Sequence, residues 1–249
     1  MEFDMATLLI LFFAGIFAGF IDSIAGGGGI ITLPALLAVG VEPHQALATN
    51  KLQSSFGSFT ATLNYAKRGL MHPKKLLKGV LFTFIGAVSG AYSVQFFDAK
   101  SLESMIIVML LLIFLYTLAS PNLGKIHTQA KMDRTLFYIL FGLLIGFYDG
   151  FFGPGTGSFW TMALILLLGL DLKSATAETK LFNFTSNIAS LGMFLYAGLV
   201  LWVAGIVMGI GQIIGAYLGS TLVSKREVKF IRIFFLIVVG ATILKLLLT

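Results

Sequence analysis

The chain has 249 residues, of which 57% are hydrophobic and 11% charged, and its formal net charge is +6. A soluble domain usually carries about 25% charged residues, so this composition excludes a soluble protein. The mean hydropathy of +0.95 and the recurring apolar runs of about twenty residues predict a polytopic helical membrane protein.

The sequence offers few residues that could bind a metal ion or catalyse a reaction. The chain has no cysteine, which excludes disulfides, thiolate metal ligands and cysteine nucleophiles. Its histidines, His44, His72 and His127, fall in predicted loops or helix ends without the spacing of metal ligands. No nucleophile–base pair is evident for an intramembrane enzyme. We therefore expect no metal site, no cofactor and no enzymatic activity.

The first predicted segment, 5–21, ends before a run of four glycines, and a short apolar segment follows at 29–40. As one continuous helix the two segments would be about 54 Å long, whereas the hydrocarbon core is about 30 Å thick. The chain must therefore enter the membrane and return. Two interpretations stay open, a hairpin and two full crossings by short helices.

The plan of the first half repeats in the second. Three long helices follow the broken segment in each half, at 45–66, 76–97 and 101–119 and then at 175–196, 201–222 and 228–248. A shift of about 127 to 129 residues aligns the two halves, and "GFID" with its glycines meets "GFYD" with its own. We predict two transmembrane repeats, 1–120 and 133–249, joined by a cytoplasmic linker at 121–132.

Loop charges indicate how the repeats are oriented. The loop 67–78 is strongly basic and its counterpart 197–202 carries no charge, whereas 98–103 is balanced and its counterpart 224–232 is basic. Basic loops stay in the cytoplasm, and only inverted repeats put both of them there. The sequence predicts inverted-topology repeats with both termini outside and the loops 67–78, 121–134 and 224–232 inside. The basic charge then reports topology, and we expect no nucleic-acid partner.

The glycine runs inside the broken segments, Gly26–Gly29 and Gly153–Gly157, predict a binding site. A helix that starts inside the membrane has free backbone N–H groups and a positive dipole end, and both attract anions. Glycine lets a ligand approach the backbone closely. Pro154 suits a first helical turn, and Thr156 adds a hydroxyl. By contrast, we interpret Gly86, Gly90, Gly215 and Gly219 as helix-packing positions.

The helix after each break is unusually polar for a membrane helix. Lys51 and Ser54 lie on one face of the first, with Asn50 and Gln53 as further amide donors, and the second carries a matching lysine and asparagine. The lysines have two interpretations: they reach towards the lipid headgroups, or they face a cavity beside the glycine breaks. In the second case, two lysines, two helix starts and several hydroxyls would suit a small oxyanion.

The aspartates Asp22 and Asp149 form another matched pair. Intramembrane acids are rare and often functional. Each could couple transport to protons, bind a cation, pair with a lysine, or cap the short helix and so have only a structural role. The sequence leaves these coupling and structural roles open.

These residues resemble a known family. "AGFIDSIAGGGGIITLPALL" with "ATNKLQ", and "GFYDGFFGPGTGSFW" with "AETKLF", resemble the repeated motif of the TauE/SafE sulfite exporter family, also called the 4-toluene sulfonate uptake permease family. The match covers essentially the whole chain. It departs slightly in the second half, where Glu178-Thr179-Lys180 stands for Thr49-Asn50-Lys51. The resemblance implies an inner-membrane transporter of sulfite or small sulfonates and adds Thr179 to the candidate residues.

Together, the motifs and the resemblance define the expected function. We expect a secondary transporter that moves a small sulfur-containing anion, most readily by export, with alternating access around a midplane site. The alternatives are proton- or cation-coupled uptake of another small anion or metabolite, and an anion channel. The expected partners are the lipid bilayer, the anion and a second copy of the chain in a homodimer. The candidate substrate-binding residues are Gly26, Gly27, Gly28, Gly29, Asn50, Lys51, Gln53, Ser54, Gly153, Pro154, Gly155, Thr156, Gly157, Thr179, Lys180 and Asn183.

Overall fold

The computed structural model describes residues 3–119 and 129–223, and all regular secondary structure within these ranges is helical. The helices are α1 (Met5–Ala25), α2 (Gly29–Ala38), α3 (Pro43–Lys67), α4 (Leu77–Ser93), α5 (Ala99–Ala119), α6 (Arg134–Phe151), α7 (Thr156–Leu168), α8 (Leu172–Tyr196) and α9 (Trp202–Val223). Two 3-10 turns, Pro73–Leu76 and Val94–Phe96, flank α4. The predicted all-α membrane protein class is confirmed.

The helices begin and end near their predicted bounds, and the clearest difference is at the first break. The sequence predicts that the first segment ends at residue 21, but α1 continues to Ala25, because the N–H of Gly26 still donates to the carbonyl of Asp22, at 3.0 Å. The predicted helix 228–248, the basic loop 224–232 and linker residues 121–128 lie outside the described residues.

Four of the described helical segments are long and apolar enough to cross a membrane. These segments are Met5–Ile24, Pro73–Phe96, Arg134–Phe151 and Trp202–Val223. The helices α3 and α8 are as long or longer, with 25 residues each, but they are much more polar. Both bury most of their polar residues against the other helices. The polar pair therefore forms the centre of the bundle, and the apolar helices surround it.

The second limb of each broken segment is too short to cross the membrane. The ten residues of α2 and the thirteen of α7 correspond to about 15 and 20 Å of helix, against about 30 Å for the hydrocarbon core. An added Cβ at Gly28 would lie 2.9 Å from the Cβ of Asp22 and 3.0 Å from the carbonyl oxygen of Ala18, so the chain folds back along α1 at this break. Each broken segment thus combines a long helix with a short one, which favours the hairpin interpretation.

Glycine seams join helices from opposite halves, since α1 packs on α9 and α4 packs on α6. The contacts pair Gly15 with Met208 and Gly19 with Gln212 along the first seam, and Gly86 with Leu143 and Gly90 with Phe147 along the second. Because the residue numbers rise together, the helices of each seam run in the same direction. An added side chain at any of the predicted packing positions, Gly86, Gly90, Gly215 and Gly219, would meet the facing backbone. Their predicted packing role is confirmed.

Contacts between helix ends show which ends share a side of the bundle. The Nζ of Lys78 donates to Thr135 Oγ1 at 3.1 Å, which joins the starts of α4 and α6, and Asn64 donates to Ser220 Oγ at 2.7 Å, which joins the ends of α3 and α9. On the other side, the connection from α8 to α9 meets the start of α3, because the N–H of Leu201 donates to the hydroxyl of Thr49 at 3.1 Å.

These contacts place the basic side chains of the described residues together. We call the side with the starts of α4, α6 and α8 the basic face; its cationic residues are Lys67, Arg68, Lys74, Lys75, Lys78, Lys131, Arg134 and Lys173. The opposite face, with the starts of α1, α3 and α9, carries Asp4, Glu42, Asp98, Lys100 and Glu103. Charge is therefore distributed unequally across the bundle.

The start of α8 is fixed by its own cap. The carboxylate of Asp171 accepts hydrogen bonds from the N–H groups of Lys173 and Ser174, at 2.9 and 3.1 Å, and from the Ser174 hydroxyl, at 2.6 Å. Partial burial raises the pKa of Asp171, but these hydrogen bonds outweigh it, so its pKa lies below the usual value. The cap satisfies two of the four N–H groups that a helix start leaves free.

Candidate functional site

The two breaks have backbone conformations that require glycine. Gly26 and Gly27 have φ values of 71° and 136°, and Gly153 and Gly155 have 102° and 81°. L-residues with a side chain rarely adopt such angles, whereas glycine does so readily. The two glycine runs therefore allow each chain to leave one helix and start the next within a few residues.

The two breaks also touch each other. An added Cβ at Gly157 would lie 2.6 Å from Gly26 Cα, and the hydroxyl of Ser158 donates to the carbonyl of Gly26 at 2.9 Å. A side chain at either glycine would force the two backbones apart. The start of α7 is thus held directly against the break in the first half.

Asp22 both caps its own break and binds a lysine from the other half. Its Oδ1 accepts from the N–H groups of Gly27 and Gly28, at 3.0 and 3.3 Å. Its Oδ2 lies 3.1 Å from the Nζ of Lys180, which also donates to the Asp22 backbone carbonyl. Two of the roles that the sequence leaves open, capping and lysine pairing, are therefore both present in one residue.

Asp149 makes the equivalent pair, but here the aspartate comes from the second half and the lysine from the first. Its Oδ1 lies 2.7 Å from the Nζ of Lys51, which also donates to the Asp149 carbonyl, and its Oδ2 accepts from the hydroxyl of Ser186. Each half thus supplies a lysine to the aspartate of the other half. The four charges sum to zero.

The burial of the lysines decides between their two interpretations. Lys51 is 1% exposed and Lys180 is 0% exposed, and both side chains end at an aspartate in the interior. The side chains do not reach towards the lipid headgroups in this structure, because each ammonium group is paired with a carboxylate in the interior. The lysines lie beside the glycine breaks as ion-paired groups, and a role in substrate binding stays a prediction.

A small cavity of about 20 Å³ lies between the two breaks and the polar faces of α3 and α8. Volume of this order suffices for about one water molecule, so the cavity as it stands has no room for a larger ligand. Its lining residues are Asp22, Gly27, Gly28, Gly29, Asn50, Ser54, Asp149, Gly153, Thr156, Gly157, Asn183 and Asn187. Most of the predicted site residues are thereby brought together around one space.

The remaining predicted residues lie just behind this cavity or away from it. Gly26, Pro154 and Gly155 shape the breaks, and Lys51 and Lys180 lie behind them; an added Cβ at Gly153 would be 2.7 Å from the Nζ of Lys51. Thr179 points elsewhere, with its hydroxyl 3.1 Å from that of Thr161.

Gln53 anchors a hydrogen-bonded network beside the cavity and does not line it. Its Nε2 donates to Asn50 Oδ1 at 2.7 Å and to Thr32 Oγ1 at 3.1 Å. Its Oε1 accepts from Gln212 at 2.5 Å. Gln53 therefore orients the amide of Asn50, which does line the cavity.

Three polar residues of the site were not among the predicted substrate-binding residues. They are Thr32, which bonds Asn50 at 2.5 Å, Ser186, which bonds Asp149, and Asn187, which lines the cavity. A signal was present for two of them, because Ser186 and Asn187 follow Asn183 at the three- and four-residue spacing of one helix face. Within the described residues, no group of three or more side chains is arranged to hold a metal ion.

Long apolar helices surround a small polar cavity beside paired charges and two helix starts, an arrangement typical of a multi-pass membrane protein of the transporter class. Comparison with known proteins agrees. The family model described as "Sulfite exporter TauE/SafE" matches residues 11–246. The chain belongs to the TauE/SafE sulfite exporter family, which confirms the resemblance, and it is a membrane transporter and not an enzyme.

Individual relatives point the same way. The probable membrane transporter protein YfcA of Escherichia coli K12 is 44% identical over 238 residues, which cover 96% of this chain and 88% of that protein. The probable membrane transporter protein ORF9 of Sinorhizobium sp is 44% identical over 240 residues, which cover 96% of this chain and 92% of that protein. A probable membrane transporter protein of Haemophilus influenzae is 41% identical over 232 residues, which cover 93% of this chain and 91% of that protein.

Proposed function

We propose that the protein is a secondary transporter that exports sulfite or a small organosulfonate across the inner membrane. One observation carries the proposal: two helix starts from opposite halves, at Gly29 and Gly157, line the same small cavity. Helix starts offer N–H donors and a positive dipole end to an anion. A tetrahedral or pyramidal oxyanion has several oxygens and could use both starts at once.

Neutral donors around the cavity support an anionic ligand. Asn50, Ser54, Thr156 and Asn187 surround the space. The amide oxygen of Asn183 has no hydrogen-bond partner among the described residues. Buried polar groups are normally paired, so this amide is available to a ligand or a bound water.

The ion pairs suggest how an anion could be bound and released. In this structure Lys51 and Lys180 are paired with Asp149 and Asp22. An anion that enters between the breaks competes with the aspartates for these lysines. Because breaking a buried pair without replacement is strongly unfavourable, the lysines favour an anionic occupant over an empty open site.

Alternating access requires two states that expose the cavity to opposite sides. We propose that the halves are inverted repeats that rock against each other. Support comes from the reciprocal packing of α1 on α9 and of α4 on α6. The end contacts of α3 and α8 also indicate that these equivalent helices run in opposite directions. Since the cavity of about 20 Å³ is too small for a sulfonate, it must widen to bind one.

The unequal charges support one orientation of the protein. Basic segments remain in the cytoplasm, so we propose that the basic face is cytoplasmic and that the start of α1 is outside. Export then begins at the basic face.

One observation favours a second candidate, proton- or cation-coupled uptake. Asp22 and Asp149 line the cavity, whereas the two lysines lie behind it. A cation or proton between the carboxylates would then be the coupling ion. Collapse of transport by an ionophore would favour this candidate, while unchanged flux would exclude it.

The test is anion flux in proteoliposomes loaded with sulfite or sulfoacetate, with sulfate and chloride as comparison anions. We expect saturable flux that is stimulated by substrate on the other side, because a carrier returns faster when loaded. Conductance without such stimulation would indicate a channel. No flux of any sulfur oxyanion from folded protein would contradict the proposal.

Two sets of variants assign the flux to the site. Lys51→Ala with Lys180→Ala should abolish it, and Asn183→Ala, which leaves both ion pairs in place, should lower the apparent affinity about tenfold. The matched control is Lys131→Ala with Lys173→Ala, which removes two exposed lysines of the basic face. If flux is unchanged in both site variants, the anion does not bind at this site.

A further inference from the structure

A second, larger cavity opens at the basic face. Its volume is about 280 Å³, close to the lower end of the range for small-molecule sites. It is lined by Gly69, Leu70, Met71, His72, Lys75, Leu76, Arg134, Leu170, Ser174 and Glu178. The cavity thus lies where the α3–α4 connection meets the starts of α6 and α8.

The basic-face cavity has more cationic or ionisable nitrogen groups in its lining than acidic ones. Arg134, Lys75 and His72 bring cationic or ionisable nitrogens, and Glu178 is the acidic residue of the lining. Glu178 is 7% exposed, and its Oε1 lies 3.7 Å from a terminal nitrogen of Arg134. That separation exceeds a direct hydrogen bond. Arg134 lines the cavity with a side chain that is 48% exposed, and it makes no close ion pair with Glu178.

One buried atom of this pair, Oε2 of Glu178, has no hydrogen-bond partner within the described part of the chain. Tyr138, which is 2% exposed, lies close enough to Glu178 and Arg134 to interact electrostatically with both, and its hydroxyl meets the Arg134 side chain. Because an ionised carboxylate only accepts hydrogen bonds, Glu178 cannot bind an anion itself and instead competes with one for the cationic groups of the cavity.

The two halves differ at this position. Glu178 stands where the first half has Thr49, and Thr49 accepts a hydrogen bond from the N–H of Leu201. The connection at 197–201, equivalent to the lining loop of the basic-face cavity, has no charged residue. The repeated plan of the halves therefore gives a charged entrance at one face and an uncharged connection at the other.

We propose that the basic-face cavity is an entry site for a small oxyanion, in which Arg134 exchanges its loose contact with Glu178 for the anion's oxygens. The proposal rests on the proposed function, because it assumes that the transported ligand is an anion. Lys75 and His72 add positive potential, and the guanidinium can bind two oxygens of a sulfonate at once. Glu178 acts as the competing counter-charge, which keeps the site from holding the anion too tightly for release to the central cavity.

The first experiment measures half-saturation from each side, with sulfoacetate flux in right-side-out and everted membrane vesicles. Arg134→Gln should raise the half-saturating concentration from the basic face about tenfold and leave that from the other face unchanged. Glu178→Gln should lower it severalfold, since the competing carboxylate is lost. Lys173→Gln is the control, because it removes an exposed cation from the same face outside the cavity lining. Equal changes at both faces, or no change at either, would overturn the proposal.

A second measurement separates this site from transport itself. Sulfoacetate should raise the melting temperature of the purified wild-type protein in detergent, and Arg134→Gln should weaken the concentration dependence of that shift while Lys173→Gln does not. If wild type shows this binding but no flux, the entry site stands and the proposed transport function fails. If the wild type transports sulfoacetate but neither binding nor flux changes in Arg134→Gln and Glu178→Gln, the proposed entry site is wrong and the transport function stands.

Discussion

At the scale of single residues, each charge of the central site is held by a residue of the other half. Lys51 lies 98 positions from Asp149 and Lys180 lies 158 positions from Asp22 along the chain. Both pairs are almost fully enclosed on the lysine side. Such pairs contribute little net stability relative to apolar replacements, but removing one partner strands a buried charge. The two pairs therefore hold the halves in this arrangement at little net gain in stability, which fits the proposal that an anion can compete for the lysines.

The pairing predicts a strong coupling between Lys51 and Asp149. Lys51→Met and Asp149→Asn should each lower the unfolding free energy by about 3 kcal/mol, because each leaves one uncompensated polar or charged group in the interior. The double variant should be less destabilised than the sum of the two, by about 1 kcal/mol or more. Equilibrium unfolding in mixed detergent micelles measures all three. Additive losses, or losses as small as that of the exposed control Lys173→Met, would contradict the pairing.

The sequence predicts the glycine breaks but not these partners, for a physical reason. Positive φ angles and close backbone contact demand glycine, so Gly26 and Gly153 carry a readable local signal. The helical spacing likewise identifies the polar faces of α3 and α8. Which aspartate meets which lysine depends on how the halves dock, and the repeat pattern alone allows a lysine to pair within its own half or across. Thr32 was missed because it lies on an apolar helix and acts only through Asn50.

At the scale of elements, close contact between helices comes from glycine on both sides of a seam. Lipid tails are as apolar as leucine, so membrane helices associate by packing backbones closely and not by excluding water. Gly142, Gly146 and Gly150 of α6 face the backbone of α4, and Gly211 and Gly215 of α9 face that of α1. These seams are interfaces between the halves. They also place the ends of α1 and α6, where the breaks begin, against the opposite half.

The glycine seams predict that a glycine-to-alanine substitution lowers stability inside a seam but not outside it. In Gly146→Ala the new Cβ would lie 2.6 Å from the carbonyl oxygen of Thr83 and 3.1 Å from its Cα, so α4 and α6 must separate and stability should fall by about 1–3 kcal/mol. Gly192→Ala is the matched control, since this helical glycine of α8 has open space around its Cα and alanine favours the helix by about 0.5–1 kcal/mol. Thermal unfolding in detergent should separate the two. Equal effects would mean that α4 and α6 do not pack in this way.

At the scale of the whole molecule, the two halves have a similar order of helices but differ in charge at the two faces of the bundle. In the described residues each half has a glycine break between a long and a short helix, and the sequence predicts these breaks because the glycine and lysine positions recur; the repeat itself stays a prediction. The small size of the cavity and the contacts of Arg134 with Glu178 could not be predicted, since they depend on packing between distant segments. The basic face collects most cationic side chains of the described residues, which is the feature that orients the protein in our proposal.

That orientation predicts which surfaces can be labelled from outside the cell. The chain has no cysteine, so single cysteines can be introduced without background. Tyr196 is 92% exposed at the end of α8 on the opposite face, and Lys74 is exposed on the basic face. Tyr196→Cys should react with a membrane-impermeant maleimide in intact cells. Lys74→Cys should react only after the membrane is permeabilised.

The two variants serve as each other's control, because both cysteines are exposed and both should react fully in detergent. Reaction of Lys74→Cys alone in intact cells would reverse the orientation and place the basic-face cavity outside. Reaction of both would contradict the arrangement in which the ends of α3 and α8 lie on opposite faces, and with it the inverted repeats. Because the orientation decides from which side of the membrane Arg134→Gln should raise the half-saturating concentration, this measurement determines how the vesicle experiments are to be interpreted.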